Sequence, residues 1–303
     1  MVVACTGFFD GVHLGHRSVI DKVCTLAKER GCKSLVITFW PHPRAVLQQD
    51  AVNFRLITSL EEKVELLTSM GIDSVEVIPF TREFARLTTR DFFQKYLIDK
   101  YGVNYFVVGY DHRVGSDKTQ SQQEMLEIAE SMNIKTLRVE EFHKDIGIES
   151  EIVISSTKIR ERVSLGQVDV ASRLLGYNYS LSGVVVSGEK LGRKLGFPTA
   201  NIKLYEPLKL LPKDGVYAVK VLFNGKRYCG ITNIGTRPTV SLGVQKSIET
   251  HILDFNEQIY GLDLKVEFIK RIRDEKKFDS IEKLIEQLTQ DREYASKLLS
   301  FID

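Results

Sequence analysis

The sequence predicts an α/β domain built on a parallel sheet, then a small antiparallel β-barrel, then a C-terminal helix. Three observations carry this. Up to about residue 178, short apolar runs alternate with amphipathic helical stretches; beyond it, β-type runs follow one another with turns and no helices; residues 279–300 form one charged helix. The first half reads as strands at 2–6 (VVACT), 34–39 (SLVITF), 74–79 (SVEVIP), 104–109 (NYFVVG) and 135–139 (KTLRV), with helices at 15–30, 59–70, 89–101 and 120–132 between them. Continuous apolar strands alternating with helices imply a parallel sheet covered on both faces. In TSLEEKVELLTSMG, Thr58 or Ser59 can cap a helix, Glu62 sits in its first turn and Gly71 ends it.

In the second half, LSGVVVSG, DGVYAVKVLF, KRYCGITNIG, SIETHILDF and LKVEFIKRIR are β-type runs. Asn224-Gly225 between two of them is a hairpin signal, because both residues tolerate positive φ. Strands without crossover helices suggest a closed antiparallel barrel. The change of pattern at 176–180 divides the chain into domains 1–178 and 179–303.

The composition sets bounds. With 42 basic and 40 acidic residues the net charge is +2, which gives no reason to expect nucleic-acid or membrane-surface binding. No apolar stretch approaches the ~20 residues of a membrane span. Cys5, Cys24, Cys32 and Cys229 form no CxxC pair, and four thiols are too few for a disulfide scaffold. The expectation is a soluble cytoplasmic protein with reduced thiols. Its oligomeric state, monomer or homo-oligomer, is not written in the sequence.

The first chemical constellation follows strand 2–6. The loop Gly7-Phe8-Phe9-Asp10-Gly11 leads into a helix beginning near Leu14, at the carboxyl edge of the sheet where α/β folds bind ligands. The helix N-terminus offers free N–H groups and the positive end of its dipole to an anion. Gly7 and Gly11 would let backbone approach the ligand. His13 and His16, spaced HxGH, would share one side of the first turn, with Gly15 clearing room between them. Imidazoles there can donate to phosphate oxygens and stabilise charge that develops during displacement, which points to nucleotidyl transfer without a covalent enzyme intermediate. A second anion element is ISSTKIRERV: Ser155, Ser156 and Thr157 sit where a helix begins and Arg160 follows one turn on. Alone it reads as an N-cap; beside HxGH it suits the outer phosphates of a triphosphate.

GFFDGVHLGH and SSTKIR resemble the nucleotidyltransferase family that includes the adenylyltransferases making FAD, coenzyme A and NAD. TFWPHP (38–43) and VVGYDHRVG (107–115) resemble its flavin-adenylating bacterial branch. The resemblance implies a Rossmann-like nucleotidyltransferase domain with ATP and FMN as substrates and FAD as product. It implies that Gly7, Phe9, Asp10, Gly11, Gly109, Asp111, Ser155, Ser156 and Thr157 bind nucleotide, and that His13, His16 and Arg160 are catalytic. The second motif usually reads VVGxDFxFG; this chain keeps Gly109, Asp111 and Gly115 but has His112 and Val114 at the aromatic positions. The start also looks short beside the branch, without the leader commonly seen before its first strand.

SGEKLGRKLGFPTANI carries the second constellation. Gly188, Gly192 and Gly196 recur at intervals of four with Lys190, Arg193 and Lys194 among them, a basic, glycine-rich segment able to fold over polyphosphate. In extended PTAN, Thr199 and Asn201 project to one face and offer hard oxygen ligands that suit Mg²⁺. SIETHILDF alternates as a strand with Glu249 and His251 on one face, and Glu249 is the candidate base for an acceptor hydroxyl. The run GRKLGFPTANI, DGVYAVKV, NIGTRPT, ETHILDF and IRDEKKFDSIEKLIEQL resembles, in order, the riboflavin kinase family. That resemblance implies a β-barrel that phosphorylates riboflavin with Mg-ATP. It assigns Thr199 and Asn201 to metal and ATP, Glu249 as base, Gly188, Arg193 and Tyr260 to the nucleotide, and Arg273, Lys276 and Phe278 to the flavin pocket.

Together the motifs are identified as those of a bacterial bifunctional riboflavin kinase/FAD synthetase. Two alternatives stand beside this: an adenylyltransferase acting on another phosphorylated acceptor, or a flavin-binding or kinase-only protein whose adenylyltransferase domain is degenerate.

Overall fold

The computed structural model describes residues 1–47, 54–117, 120–142, 153–188, 191–238 and 244–301. The chain divides into two compact units, Met1–Ser156 and Thr157–Asp303. In the first, β1 (Val2–Thr6), α1 (Leu14–Arg30), β2 (Lys33–Trp40), α2 (Pro43–Leu47), α3 (Leu60–Ser69) and β3 (Ser74–Pro79) are followed by α4 (Thr89–Phe92), β4 (Val103–Val108), α5 (Gln122–Ser131) and β5 (Lys135–Arg138). The strands form one parallel sheet in the order β3-β2-β1-β4-β5. Strand order reverses between β1 and β4, so the loop after β1 opens at the switch point.

Period-two alternation sends neighbouring side chains to opposite faces of this sheet. Ala4, Leu35, Ile37 and Phe106 enter one apolar cluster, and Val3, Cys5, Val36 and Val107 enter another. Both faces are covered, which is why these strands read as continuous apolar runs. The helix expected over 89–101 is α4 continued by a π-helical stretch, Phe93–Lys100, that leaves on a Tyr101 N–H to Tyr96 carbonyl bond. The wider turn accompanies burial of Phe92, Phe93 and Leu97. Of the two capping candidates before α3, Ser59 forms the capping box with Glu62, while the Thr58 hydroxyl turns toward Asp10.

The second unit contains α6 from Thr157 onward (Ser156–Ser164), α7 (Val168–Leu175), β6 (Ser180–Val186), α8 (Leu191–Lys194), β7 (Ala200–Leu204), β8 (Gly215–Phe223), β9 (Lys226–Pro238), β10 (Val244–Ile252), β11 (Asp263–Arg273) and α9 (Ile281–Leu299). Its strands close an antiparallel barrel in the order β10-β7-β6-β11-β8-β9. The hairpin at Asn224-Gly225 has φ of 48° and 71°, the left-handed pair a two-residue turn needs. The barrel strands begin with β6 at Ser180, and α7 before them buries Val168, Ala171, Leu174 and Leu175 and packs on β11. β7 was not anticipated as a strand of its own; it is five residues long and pairs with β6 and β10. Among the described residues no helix is long and apolar enough to cross a membrane, and all four cysteines are free thiols.

Replacing Ser59 with Ala removes the capping box, and should cost about 1 kcal/mol of stability. Urea denaturation of the full chain checks this; an unchanged first transition would show that α3 does not depend on its cap.

Candidate active sites

The loop after β1 is held by a buried carboxylate. Asp10 is 5% exposed. The Ile57 N–H donates to its Oδ1 and Oδ2 at 3.0 and 3.3 Å, and the Thr58 N–H to Oδ1 at 3.0 Å. The Thr58 hydroxyl donates to Oδ1 at 3.2 Å and accepts from the Gly11 N–H at 3.0 Å. The observed work of Asp10 is therefore to fix the loop. The backbone runs through φ of 48° at Phe9, 87° at Gly11 and 36° at Val12. A β-branched residue at positive φ is strained, and such strain persists where surrounding contacts over-determine it. Turns of this kind can aim successive N–H groups into a concavity that suits an anion.

The glycines serve a purpose the sequence reading did not foresee. A Cβ on Gly7 would lie 2.8 Å from the Phe9 ring, and one on Gly15 would lie 3.3 Å from the His13 ring. Both make room for neighbouring rings. Phe9 itself is buried and meets His16 edge-on, with ring centroids 5.2 Å apart.

His13 caps α1. Its Nδ1 accepts from the His16 N–H at 3.3 Å, which leaves Nε2 to carry the proton in the neutral ring. The two imidazoles stack at 3.5 Å with 18° between planes. Burial first, then His13, His112 and Lys63, hold His16 well below the usual histidine range, so it is neutral near pH 7. Its Nδ1 is buried without a hydrogen-bond partner, an orphan that calls for a ligand.

His112 and Val114, the two departures from the aromatic pattern, are accommodated differently. His112 Nε2 hydrogen-bonds Thr6 Oγ1 at 2.8 Å, and burial brings its pKa down to about 4. Val114 packs against the first apolar cluster, and its carbonyl accepts from Thr89 Oγ1 at 2.8 Å. Both line a cavity of about 250 Å³ with Phe8, Phe39, Phe80 and Phe84. An aromatic cleft at the carboxyl edge of β1 to β4 can receive a flat ring system. Gly109 gives its carbonyl to Gln122 Nε2 at 2.7 Å, and Asp111 is exposed beside this cleft. Within the first unit, Ser156 Oγ donates to the Asp10 carbonyl at 2.8 Å. Ser155 immediately precedes α6; Thr157 and Arg160 follow on it, in the second compact unit.

In the barrel, two cavities share a wall. One, of about 270 Å³, is lined by Gly188, Arg193, Thr199, Asn201 and Tyr260, among others. The other, of about 440 Å³, includes Thr199, Asn201, Glu249, Arg273, Lys276 and Phe278. Thr199 and Asn201 line both, so the extended PTAN segment separates a more polar cleft from a more apolar one. Strand pairing sets this: Glu249 on β10 stands opposite Asn201 on β7, a cross-strand distance at which the side chains interact. A Cβ on Gly188 would lie 2.2 Å from Asn201 Nδ2, so glycine there admits the amide. Lys190 lies outside the described residues.

Several lining groups escaped the sequence reading. Leu284, Leu288 and Asp291 bring α9 to the second cavity. Asp291, 2% exposed, receives Arg273 Nε at 3.0 Å on both oxygens and Nη2 at 2.7 Å on Oδ2. Arg273 thus anchors the 273–278 segment to α9, with its guanidinium 5.9 Å from the Phe278 ring centre. His251 Nδ1 hydrogen-bonds the Pro198 carbonyl at 2.8 Å and steadies the residue before Thr199. The i, i+4 pair Leu284/Leu288 was the available signal for α9; nothing local marked Asp291.

Two family models match the chain: FAD synthetase over residues 1–158 and riboflavin kinase over 175–299. Proteins named bifunctional riboflavin kinase/FMN adenylyltransferase are similar to it nearly end to end. The one from Bacillus subtilis (strain 168) is 38% identical, covering 98% of this chain and 92% of its own. The one from Escherichia coli (strain K12) is 35% identical, covering 95% and 90%. A crystal structure titled macrolide-efflux protein from Streptococcus pneumoniae superposes with a TM-score of 0.87 at 31% identity, covering 97% of this chain and 93% of that one. That title speaks of efflux; the family models and the named relatives speak of flavin chemistry.

Asp291→Ala would strand a largely buried guanidinium and should destabilise the barrel by about 3–5 kcal/mol. Chemical denaturation measures this, and a loss below about 1 kcal/mol would show that the pair does not hold the segment.

Proposed function

The chain belongs to the bifunctional riboflavin kinase/FMN adenylyltransferase family, and from that premise we propose how its residues divide the two reactions. The enzyme transfers the γ-phosphoryl group of ATP to riboflavin, giving FMN and ADP, and then the adenylyl group of a second ATP to FMN, giving FAD and pyrophosphate. The observation that carries the kinase assignment is the shared wall of the two barrel cavities. ATP takes the cleft of Gly188, Arg193 and Tyr260. Riboflavin takes the cleft of Arg273, Lys276 and Phe278, with its 5′-hydroxyl at the Thr199/Asn201 wall. Glu249, opposite Asn201, accepts the hydroxyl proton as the new P–O bond forms and ADP leaves.

Thr199 and Asn201 would hold Mg²⁺. The fit is chemical: Thr199 and Asn201 are neutral hard-oxygen donors two residues apart that line the same cavities, a donor type that would suit the ion together with phosphate oxygens and water. Among the described residues no histidine, cysteine or carboxylate cluster competes for a metal. The ion supplies charge neutralisation to the transferring phosphoryl group.

For adenylyl transfer, the aromatic cleft of Phe8, Phe39, Phe80 and Phe84 takes the flavin ring, and the loop with Gly7, Phe9, Asp10 and Gly11 frames the phosphates. Gly109 and Asp111 lie on the nucleotide side. Ser155, Ser156, Thr157 and Arg160 take the outer phosphates. The FMN phosphate, already ionised at neutral pH, attacks the α-phosphorus, and pyrophosphate departs. His13 and His16 donate to the oxygens where charge develops, a role suited to imidazole N–H groups already oriented by the loop. The orphan His16 Nδ1 supports this reading. A degenerate adenylyltransferase is not favoured, since the HxGH pair is intact and its second imidazole has an unused polar atom.

Glu249→Gln should lower riboflavin phosphorylation by about 10²–10⁴-fold and leave FAD synthesis from FMN intact. His16→Ala should lower FAD synthesis by about 10²–10³-fold and leave phosphorylation intact. Chromatography of products from riboflavin or FMN with Mg-ATP reads both, and loss of both activities from either folded variant would exclude independent sites. Removing divalent cations with EDTA should stop phosphorylation and Mg²⁺ should restore it; restoration failing in Thr199→Ala at millimolar Mg²⁺ is the expected signature of the ligand.

A further inference from the structure

Lys63 is 4% exposed, and among the described residues no carboxylate forms an ion pair with it. A buried ammonium is costly unless charge or hydrogen bonds compensate it. Two carbonyls do so in part. Lys63 Nζ donates to the Phe8 oxygen at 3.2 Å and to the Phe39 oxygen at 3.2 Å, at the exits of β1 and β2. The Phe8 carbonyl also accepts from Thr38 Oγ1 at 3.3 Å, and the ammonium lies 5.7 Å from the Trp40 ring centre. Because the peptide is trans, a Phe8 carbonyl drawn toward Lys63 turns the Phe9 N–H the opposite way. The same loop then runs through its positive-φ residues to the imidazoles.

The titratable groups that act on Lys63 from packed elements are few. Asp10 pulls its pKa upward from a distance, without an ion pair, while its oxygens accept from Ile57 and Thr58. His16, on α1, is itself lowered by Lys63. On its own helix, Glu61 and Glu62 are bonded to Ser59. Burial prevails and brings the Lys63 pKa down to about 8. A cation kept under the loop after β1, behind the neutral His16 imidazole, adds to the positive field that a polyphosphate would meet.

We infer that Lys63 is a positioning residue for adenylyl transfer: it holds the carbonyls that orient the loop amides, and its charge beneath them favours the bound polyphosphate. This rests on the adenylyltransferase reading above. Lys63 touches no substrate and acts through the Phe8–Phe9 peptide and through its field at His16. Since only the protonated form does both, the free enzyme loses function as pH rises through the lysine's pKa.

The test uses the full chain, with riboflavin phosphorylation as an internal control. Wild type, Lys63→Met and Lys63→Arg are assayed for FAD formation from FMN and Mg-ATP between pH 6.5 and 10, alongside thermal melts. The wild-type kcat/KM for FAD formation should fall above pH ~8, because this profile reports ionisations of the free enzyme. Lys63→Met should be at least 10-fold slower with phosphorylation unchanged, and its profile should lack the alkaline limb. Lys63→Arg should recover at least part of the rate and move the limb upward, since guanidinium stays charged. An alkaline limb near pH 8 persisting in Lys63→Met, or a Met variant within threefold of wild type, overturns the inference while wild-type FAD synthesis upholds the parent reading. Wild type making no FAD ends both. If Lys63→Met melts early, the wild-type and Lys63→Arg profiles decide: a limb that is absent from wild type, or unmoved by arginine, counts against Lys63.

Discussion

The carboxylate of Asp10 takes the Ile57 and Thr58 N–H groups and the Thr58 hydroxyl into one buried set of hydrogen bonds, and the amino-terminal site depends on it. Without those bonds the loop after β1 would have no reason to keep Phe9, Gly11 and Val12 at positive φ. With them, His13 is delivered to the cap of α1 and His16 is stacked against it. The strain is local, and it is offset by contacts from a segment more than forty residues away in sequence. Ser156 adds a bond to the Asp10 carbonyl from still farther along the chain. The Asp10 carboxylate thus acts by holding the backbone.

The barrel solves the corresponding problem with strand register. Antiparallel pairing of β7 with β10 puts Asn201 opposite Glu249, so an amide and a carboxylate that line the same cavity meet across a single rung. Period-two alternation then sends Thr199 and Asn201 to the same wall. A one-residue slip would turn every one of these groups to the other face. The C-terminal helix completes the apolar cleft through Leu284 and Leu288, and the Arg273–Asp291 pair keeps the intervening segment against it.

Electrostatics separates the two halves. The amino-terminal site assembles imidazoles that burial keeps neutral, with Lys63 as a cation behind the backbone. Donors of this kind are already oriented before charge develops, so little reorganisation is needed when it does. The barrel site offers hard oxygens and carboxylates, Glu249 among them, which suits phosphoryl transfer to a hydroxyl that must lose its proton.

Much was legible in the sequence because it was local. Alternating strands and helices announced the parallel sheet, Asn224-Gly225 announced its hairpin, and HxGH, PTAN and the alternating strand through Glu249 announced the chemistry. These signals arise from residues a few positions apart, where backbone geometry alone relates them. The tertiary structure decided what depends on distant partners. It gave Asp10 its bonds to residues 57 and 58, and it set the Phe9 and His13 rings against Gly7 and Gly15. It also divided the barrel cavities along one extended segment and brought α9 to the larger, more apolar one. Lys63 is the clearest instance: on paper it is one charged position in an amphipathic helix, and only packing of α3 beneath the exits of β1 and β2 takes it out of water. Burial and long-range hydrogen bonding are sums over the whole fold, so no short stretch of sequence contains them.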